Sequence, residues 1–178
     1  MSEKLSDRLK ALSQREITVA SNEHVFRIGA PVVSLFLVAE GAVQLERHSP
    51  SGTRLILQRA RAGDVLAEAS CFAGHYHCSG VAVRPSLLYS IPMRSFTARC
   101  RSDPSLGLAF IEHLARETQS ARARSEILSL KTVSARLDAW LGLGDGRLPA
   151  KGEWNALADM LSVTPEALYR ELSRRRKL

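Results

Sequence analysis

The pattern of apolar and polar residues changes character near residue 100. Before that point, short runs rich in Val, Ile and Leu alternate with breaks that contain Gly, Pro or Ser, such as Ala39-Glu40-Gly41. Short runs at this spacing predict antiparallel strands in a sandwich or roll, with the glycines at turns. The runs are Val25–Ile28, Val32–Val38, Ala42–Arg47, Thr53–Arg59, Val81–Val83 and Leu87–Pro92.

After residue 100 the pattern is helical. Asp103 and Pro104 can serve as the cap and first residue of a helix, and neither Gly nor Pro occurs between Gly107 and Leu141. A helical pattern this long predicts a dimer seam, with an amphipathic helix packed on the sheet as the alternative. The apolar positions at helical spacing are Leu106, Phe110, Leu114, Ala121 and Leu128.

A glycine-rich hinge, Gly142–Gly152, precedes a final pair of predicted helices. Trp154–Leu161 forms the first helix, Ser162-Val163 turns the chain, and the second helix runs from Pro165 towards Arg176. Thr164 can cap this second helix through its hydroxyl group. A short helix, a tight turn and a second helix with polar groups near its start is the arrangement that enters a DNA major groove.

Charge and composition favour a polyanionic partner. The chain has 25 Lys and Arg against 18 Asp and Glu, which gives a net charge of +7. We find no secretory signal or membrane-spanning run, and the three cysteines have no framework spacing, so we expect a cytoplasmic protein with no membrane partner and with reduced thiols. No oxyanion loop, phosphate loop or catalytic third partner is evident, so we expect no enzyme activity.

The predicted DNA contacts lie on the second helix and at its end. Glu166 and Arg170 are four residues apart on one face; Arg suits guanine O6 and N7, and Glu suits the cytosine amino group. The alternative is an ordinary helix pair with a solvated basic end. The full predicted set is Thr164, Glu166, Arg170, Arg174, Arg175 and Arg176, with Lys177 also near phosphates.

The chain resembles the CRP/FNR family of regulators over nearly its whole length. The segments that carry this resemblance, in the family's order, are VFRIGAPVVSLFLVAEGAVQLER (25–47), GDVLAEASCF (63–72), LKTVSARLDAWL (130–141) and ALADMLSVTPEALYREL (156–172). The resemblance implies an α+β fold with an antiparallel, cyclic-nucleotide-binding-like β-roll (1–100), a dimerisation helix (101–130) and a helix-turn-helix domain (131–178). It also implies a homodimer on a palindromic double-stranded DNA operator, base contacts by Glu166 and Arg170, and RNA polymerase as a further partner.

Three departures from the family pattern stand out. Ser162 occupies the place of a common turn glycine, and Pro165 that of another DNA-contacting arginine in members that respond to cyclic AMP. No β-wing is evident before Leu178. We therefore expect an altered turn, a different operator preference and weaker backbone contacts.

The predicted effector pocket is formed by Glu68, Ser70, His77 and Cys78. In responsive family members an Arg-Ser pair holds the cyclic phosphate, and His77-Cys78 takes its place here, while Ala67 replaces a glycine. Because a guanidinium provides paired donors and a permanent charge, its loss argues against cyclic AMP as the effector. The predicted mechanism is a population shift that repositions the recognition helices.

The same loop contains four residues suited to soft metals: Cys71, His75, His77 and Cys78. Thiolate and imidazole ligands predict Cu(I), Zn(II) or haem, although C-x3-H-x-H-C is no standard zinc spacing. The alternative is two small buried cysteines and two surface histidines. No cysteine precedes Cys71, which argues against an N-terminal iron–sulfur cluster.

Two further readings stay open at this point. Cys100 lies between Arg99 and Arg101, whose charges could lower its pKa and make the protein a redox sensor, with an ordinary cysteine as the alternative. A redox- or haem-based sensor of the same family, or a ligand-binding dimer without strong DNA binding, is the alternative to an effector-controlled regulator.

Overall fold

The chain folds as two units, Met1–Glu112 and His113–Leu178. The computed structural model describes residues 5–144 and 146–176. The first unit holds all the strands together with the helices α1 (Leu5–Leu12) and α2 (Met93–Ser102).

The first unit is built on antiparallel pairings, as predicted. The strands are β1 (Arg15–Val19), β2 (His24–Phe26), β3 (Ser34–His48), β4 (Arg54–Arg61), β5 (Val65–Leu66) and β6 (Ser79–Pro92). Strand β6 pairs with β1 and β3, and β3 also pairs with β4. The short strand β2 pairs with β6, and β5 pairs with β3. The predicted fold class, an antiparallel roll followed by helices, is confirmed.

The break predicted at Ala39-Glu40-Gly41 lies inside strand β3. The β3–β6 register shifts on both sides of Glu40, so the extra backbone is absorbed as an irregularity and the strand continues. Gly41 has φ 92°, and a Cβ there would lie 2.6 Å from the carbonyl oxygen of Pro85. The glycine therefore permits a close crossing of two paired strands, not a turn between them.

An aromatic stack fills the roll next to the connection between β5 and β6. The ring of Phe26 stacks on Tyr76, with 4.4 Å between centroids, and on Phe36 at 5.6 Å. Gly80 makes room for it, because a Cβ at that position would lie 2.7 Å from the Phe26 ring. Tyr76 is also held at its hydroxyl, which donates to the Ser34 carbonyl over 2.9 Å.

Helix α3 (Pro104–Ser129) begins in the first unit and ends in the second. Its predicted apolar positions differ in burial, because Leu114 is half-buried and both Ala121 and Leu128 are exposed. Leu106 and Phe110 are buried, with Phe110 edge-on to Phe96. The apolar side chains that α3 leaves exposed near its start are Leu108 and Ile111, which the predicted pattern did not include.

The second unit packs around the end of α3 and three shorter helices, α4 (Val133–Leu143), α5 (Trp154–Met160) and α6 (Pro165–Arg175). Thr132 caps α4, because its hydroxyl accepts from the Ala135 N–H over 3.1 Å. No helix within the described ranges is long and apolar enough to cross a membrane. The buried cluster consists of Ile127, Leu137, Trp154, Leu157, Ala158, Leu161, Leu168 and Leu172.

Candidate functional site

The predicted effector residues lie on one connection, between β5 and β6. A short 3₁₀ turn, Glu68–Ser70, follows Ala67, which has φ 68° in the left-handed region. Glycine adopts this conformation without steric cost, whereas alanine does not. The connection therefore keeps a backbone shape that suits glycine although its residue is alanine.

Ser70 and His77 are brought together by this connection. Their side chains are 3.0 Å apart, from Oγ to Nδ1, across seven positions of sequence. Ser70 is buried and His77 is exposed, so the pair joins the interior of the roll to its surface. Glu68 and Cys78, the other predicted pocket residues, are both buried.

The four predicted metal ligands are not gathered into one cluster. Cys71 and Cys78 are buried, whereas His75 and His77 are exposed, and Tyr76 between the two histidines points inwards. Within the described ranges, no group of three or more His, Cys, Asp or Glu side chains could hold a metal ion. The alternation of buried and exposed positions separates the thiols from the imidazoles.

Burial also keeps the two loop thiols protonated. Desolvation, with a contribution from the Glu68 charge, raises the pKa of Cys71 to about 12 and that of Cys78 to about 11. The Arg47 charge partly opposes the shift at Cys78. A metal binds the thiolate, so each ligand would first have to lose a tightly held proton.

The environment of Cys100 opposes the reactivity considered for it. Burial and then the charge of Asp103 raise its pKa, and the nearby cation that lowers it is Arg8. The sequence neighbours Arg99 and Arg101 are both exposed. The raised pKa favours the alternative of an ordinary cysteine over a thiol activated by its flanking arginines.

The second helix of the helix-turn-helix, α6, begins where the sequence predicts. The Thr164 hydroxyl accepts from the Ala167 N–H over 3.2 Å, and Pro165 is the first residue of α6. Leu168 and Leu172 on the inner face are buried against the cluster of the second unit.

Glu166 and Arg170 lie on the outward side of α6, and both are exposed. The Glu166 carboxylate accepts from its own backbone N–H and from the Thr164 hydroxyl, and these bonds lower the pKa of Glu166 and keep it ionised. Arg170 makes no side-chain hydrogen bond or ion pair with the part of the chain that the structure describes. The two side chains are thus exposed together on one side of α6, where a partner can reach them.

The arginines at the end of α6 are engaged within the second unit. Arg175 donates to Asp138 Oδ1 over 2.6 Å, to Glu171 Oε1 over 2.7 Å and to Ser134 Oγ over 2.9 Å. Arg174 binds the same Glu171 carboxylate, and Arg176 lies over the Trp154 ring at 5.5 Å.

This arrangement changes the expected roles of the basic end. Arg175 is mostly buried by its bonds to α4, so it fixes α6 to that helix, whereas the side chain of Arg174 is 61% exposed. Lys177 lies outside the described residues. Thr164 acts first as a helix cap.

Arg136, on α4, was not singled out from the sequence. Its guanidinium donates to four backbone carbonyl oxygens, two beside the end of α3 and two in the turn of the helix-turn-helix. A single arginine in a helix gives no sequence signal for such contacts, because its partners are main-chain atoms.

Comparison with known proteins adds to these observations. Residues 16–103 match the cyclic nucleotide-binding domain family. Electron transport regulator A of Shewanella oneidensis is 24% identical over 135 residues, which are 76% of this chain and 54% of that protein. The chain therefore spans about half the length of this curated relative.

Solved structures show the same fold. FixK2 from Bradyrhizobium japonicum is 21% identical with a TM-score of 0.72, over 92% of this chain and 84% of that one. The sensor domain of the transcriptional regulator DNR from Pseudomonas aeruginosa is 26% identical with a TM-score of 0.55, over 70% of this chain and 81% of its own. The Catabolite Activator Protein of Thermus thermophilus is 21% identical with a TM-score of 0.59, over 99% of this chain and 84% of that one.

An antiparallel roll followed by a long helix and a helix-turn-helix is the fold that the chain shares with these solved structures. Within it, residues 16–103 are similar to the cyclic nucleotide-binding domain family. The fold implied by the resemblance to CRP/FNR regulators is confirmed.

Proposed function

We propose that this chain is a transcription regulator that binds double-stranded DNA as a homodimer, with an effector at the β5–β6 connection setting its DNA affinity. The observation that carries the proposal is the outward side of α6. There Glu166 is ionised, and the side chain of Arg170 forms no hydrogen bond or ion pair within the described residues. In a major groove, Arg170 would bind guanine and Glu166 would accept from cytosine.

Phosphate contacts would add affinity without sequence preference. Arg174 is the best placed of the end arginines for this role, because its side chain stays largely exposed while it binds Glu171. The formal charge of +7 favours the same polyanionic partner.

The homodimer is supported by the exposed apolar pair Leu108 and Ile111 on α3, which are 58% and 62% exposed. Side chains three apart on a helix lie on one face, so they can form part of a seam with a second copy. A two-fold dimer predicts a palindromic operator with half-sites about one helical turn apart. RNA polymerase is a further partner in this proposal.

Selection of duplexes from a random DNA library, followed by gel-shift titration, tests the DNA function. We expect the wild-type protein to enrich a palindrome and Arg170→Ala to lose preference at one base pair in each half-site. Arg94→Ala is the control, since Arg94 is exposed on α2 in the first unit. If the wild-type protein enriches no sequence over competitor DNA, with or without candidate effectors, the proposal fails.

We propose an effector other than cyclic AMP. No Lys or Arg occurs from Glu68 to Cys78, and the polar pair there is Ser70 and His77. Calorimetric titration with cyclic AMP should give no heat of binding. High-affinity binding of cyclic AMP would overturn this part of the proposal.

A soft metal ion or haem is a second proposal for the effector. It is favoured by the residue types of the loop, and it requires the loop to rearrange, because the thiols and imidazoles point apart. Elemental analysis, an absorption spectrum and titration with Cu(I) and Zn(II) test it. Absence of metal and haem after purification without chelator, together with no binding on titration, would reject it.

A further inference from the structure

Arg136 joins two chain segments that are far apart in sequence. Towards the end of α3, its Nε donates to the Leu130 carbonyl over 2.8 Å and its Nη2 to the Leu128 carbonyl over 3.3 Å. Towards the turn between α5 and α6, its Nη1 donates to the carbonyls of Leu161, at 2.8 Å, and Ser162, at 3.1 Å.

These acceptors belong to helix ends that need donors. The last carbonyls of an α-helix have no partner within the helix, and α3 ends at Ser129 while α5 ends at Met160. A guanidinium is planar and has five donors in a fixed fork, so it can serve two helix ends at once. An ammonium group is a single point and cannot reach both sides.

Ser162 has a conformation that serine rarely adopts. Its φ is 49°, in the left-handed region, where glycine is preferred. Its N–H donates to the Asp159 carbonyl over 3.1 Å, and the following N–H of Val163 donates to Ala158 over 3.0 Å. The bond from Arg136 is therefore made to the carbonyl of the strained residue itself.

We propose that Arg136 is a positioning residue that fixes the turn of the helix-turn-helix to the end of α3, and that this clamp lets serine occupy position 162. Hydrogen exchange tests the clamp without DNA, whereas the measurement of DNA affinity rests on the proposed function.

Hydrogen exchange measured by mass spectrometry tests the clamp directly in the full chain. Arg136→Lys keeps the charge and removes the fork. We expect exchange about ten-fold faster in two segments, 127–131 and 159–164, because bonds to a charged donor are lost at both. Arg94→Lys, on an exposed arginine, should change neither segment.

The role of Ser162 is tested by Ser162→Gly in the Arg136→Lys background. Glycine relieves the backbone cost at the turn but restores no donor to α3. Exchange should therefore return towards the wild-type rate in segment 159–164 and stay fast in 127–131. Recovery in both segments, or in neither, would overturn the proposed dependence of Ser162 on Arg136.

General destabilisation is separated from the clamp by Arg175→Ala. Within the described residues, Arg175 binds Ser134, Asp138 and Glu171 and forms no hydrogen bond or ion pair with the turn. This variant should lower the global stability without faster local exchange specific to 159–164. If Arg136→Lys exchanges like the wild-type protein, or only as fast as Arg175→Ala in each segment, the clamp is refuted.

The DNA test uses the palindrome selected by the wild-type protein. Arg136→Lys should bind it about ten-fold more weakly at a temperature where the variant is folded, and Ser162→Gly should restore only part of this loss. Unchanged affinity would refute the positioning role. If the wild-type protein selects no sequence, the DNA function fails while the exchange result still decides the clamp.

Discussion

The guanidinium of Arg8 donates to Asp103 Oδ2 over 2.7 Å and so ties helix α1 to the residue that precedes α3. Asp103 accepts two further bonds at its other oxygen, from the Ser105 hydroxyl at 2.7 Å and the Leu106 N–H at 3.4 Å. The hydrogen bond from Ser105, followed by that from Arg8, lowers the pKa of Asp103 to about 2. One carboxylate thus caps α3 and anchors α1.

Acid should weaken this junction. The folded pKa of Asp103 lies below the unfolded value of about 4, so its contribution to stability is present above that value and is lost as the pH falls through about 2. The free energy of unfolding, measured with urea, should fall less steeply between pH 5 and pH 2 in Asp103→Asn than in the wild-type protein.

Hydrogen bonds from Arg174, and then from Arg175, also lower the pKa of Glu171 to about 2. Part of the loss of stability in acid therefore remains in Asp103→Asn. Glu171→Gln combined with Asp103→Asn should remove both parts. An acid limb as steep as that of the wild-type protein in the double variant would contradict these assignments.

The three thiols should react slowly in the folded protein. Burial raises the pKa of Cys71 to about 12 and of Cys78 to about 11, and it raises that of Cys100 as well. Titration with Ellman's reagent at pH 8 should show Cys100 reacting first, because it is the least buried, and the other two only on unfolding. Cys100→Ser is the control that removes the first phase. Rapid native modification of Cys78 would show an open loop instead.

Replacing Ala67 by glycine should stabilise the protein. Ala67 has φ 68°, and this left-handed backbone conformation costs alanine about 1–2 kcal/mol. Glycine avoids this cost but has a greater entropy in the unfolded state, which offsets about 0.5–1 kcal/mol of the gain. A net gain of about 0.5–1 kcal/mol in chemical unfolding is expected. Ala98→Gly, on an exposed position of α2, should instead destabilise by about 1 kcal/mol. A loss of stability in Ala67→Gly would show that the alanine side chain itself is needed.

Arg170 and Arg175 should separate base reading from stability, although they are five residues apart on one helix. Arg170→Ala removes no bond within the described residues, so the melting temperature should stay unchanged while discrimination at one base pair falls by about 1–3 kcal/mol. Arg175→Ala breaks the bonds to Asp138 and Ser134 and should cost about 1 kcal/mol of stability. Calorimetric unfolding and operator titration measure the two effects. Equal effects of both variants on both quantities would show that α6 is not divided in this way.

The second helix of the helix-turn-helix was predicted closely because its signals are local. Thr164 and Pro165 define the start of α6 by cap chemistry, and Leu168 and Leu172 mark the buried face by spacing. The start of α3 at Asp103 and Pro104 is likewise predicted from a cap residue followed by proline.

Elements set by distant partners were missed or misread. Strand β1 and helix α2 are not predicted from the sequence, because both are short and are fixed by packing, β1 against the distant β6 and α2 through the buried Phe96. The sequence predicts a turn at Gly41, because it does not show that the backbone of Pro85 passes close to this glycine. The predicted metal set failed to gather for the same reason: proximity along the chain does not say which side chains point inwards.

The buried cluster of the second unit contains Ile127, which lies within the last turn of α3. A fragment cut at the predicted boundary, residue 131, would therefore lose a core side chain as well as the carbonyls of Leu128 and Leu130 that Arg136 binds. For modular protein engineering, the exchangeable helical unit therefore begins upstream of Ile127. Hybrids that exchange this unit should be joined at an exposed position of α3, such as Ser120, so that the unit keeps its own core.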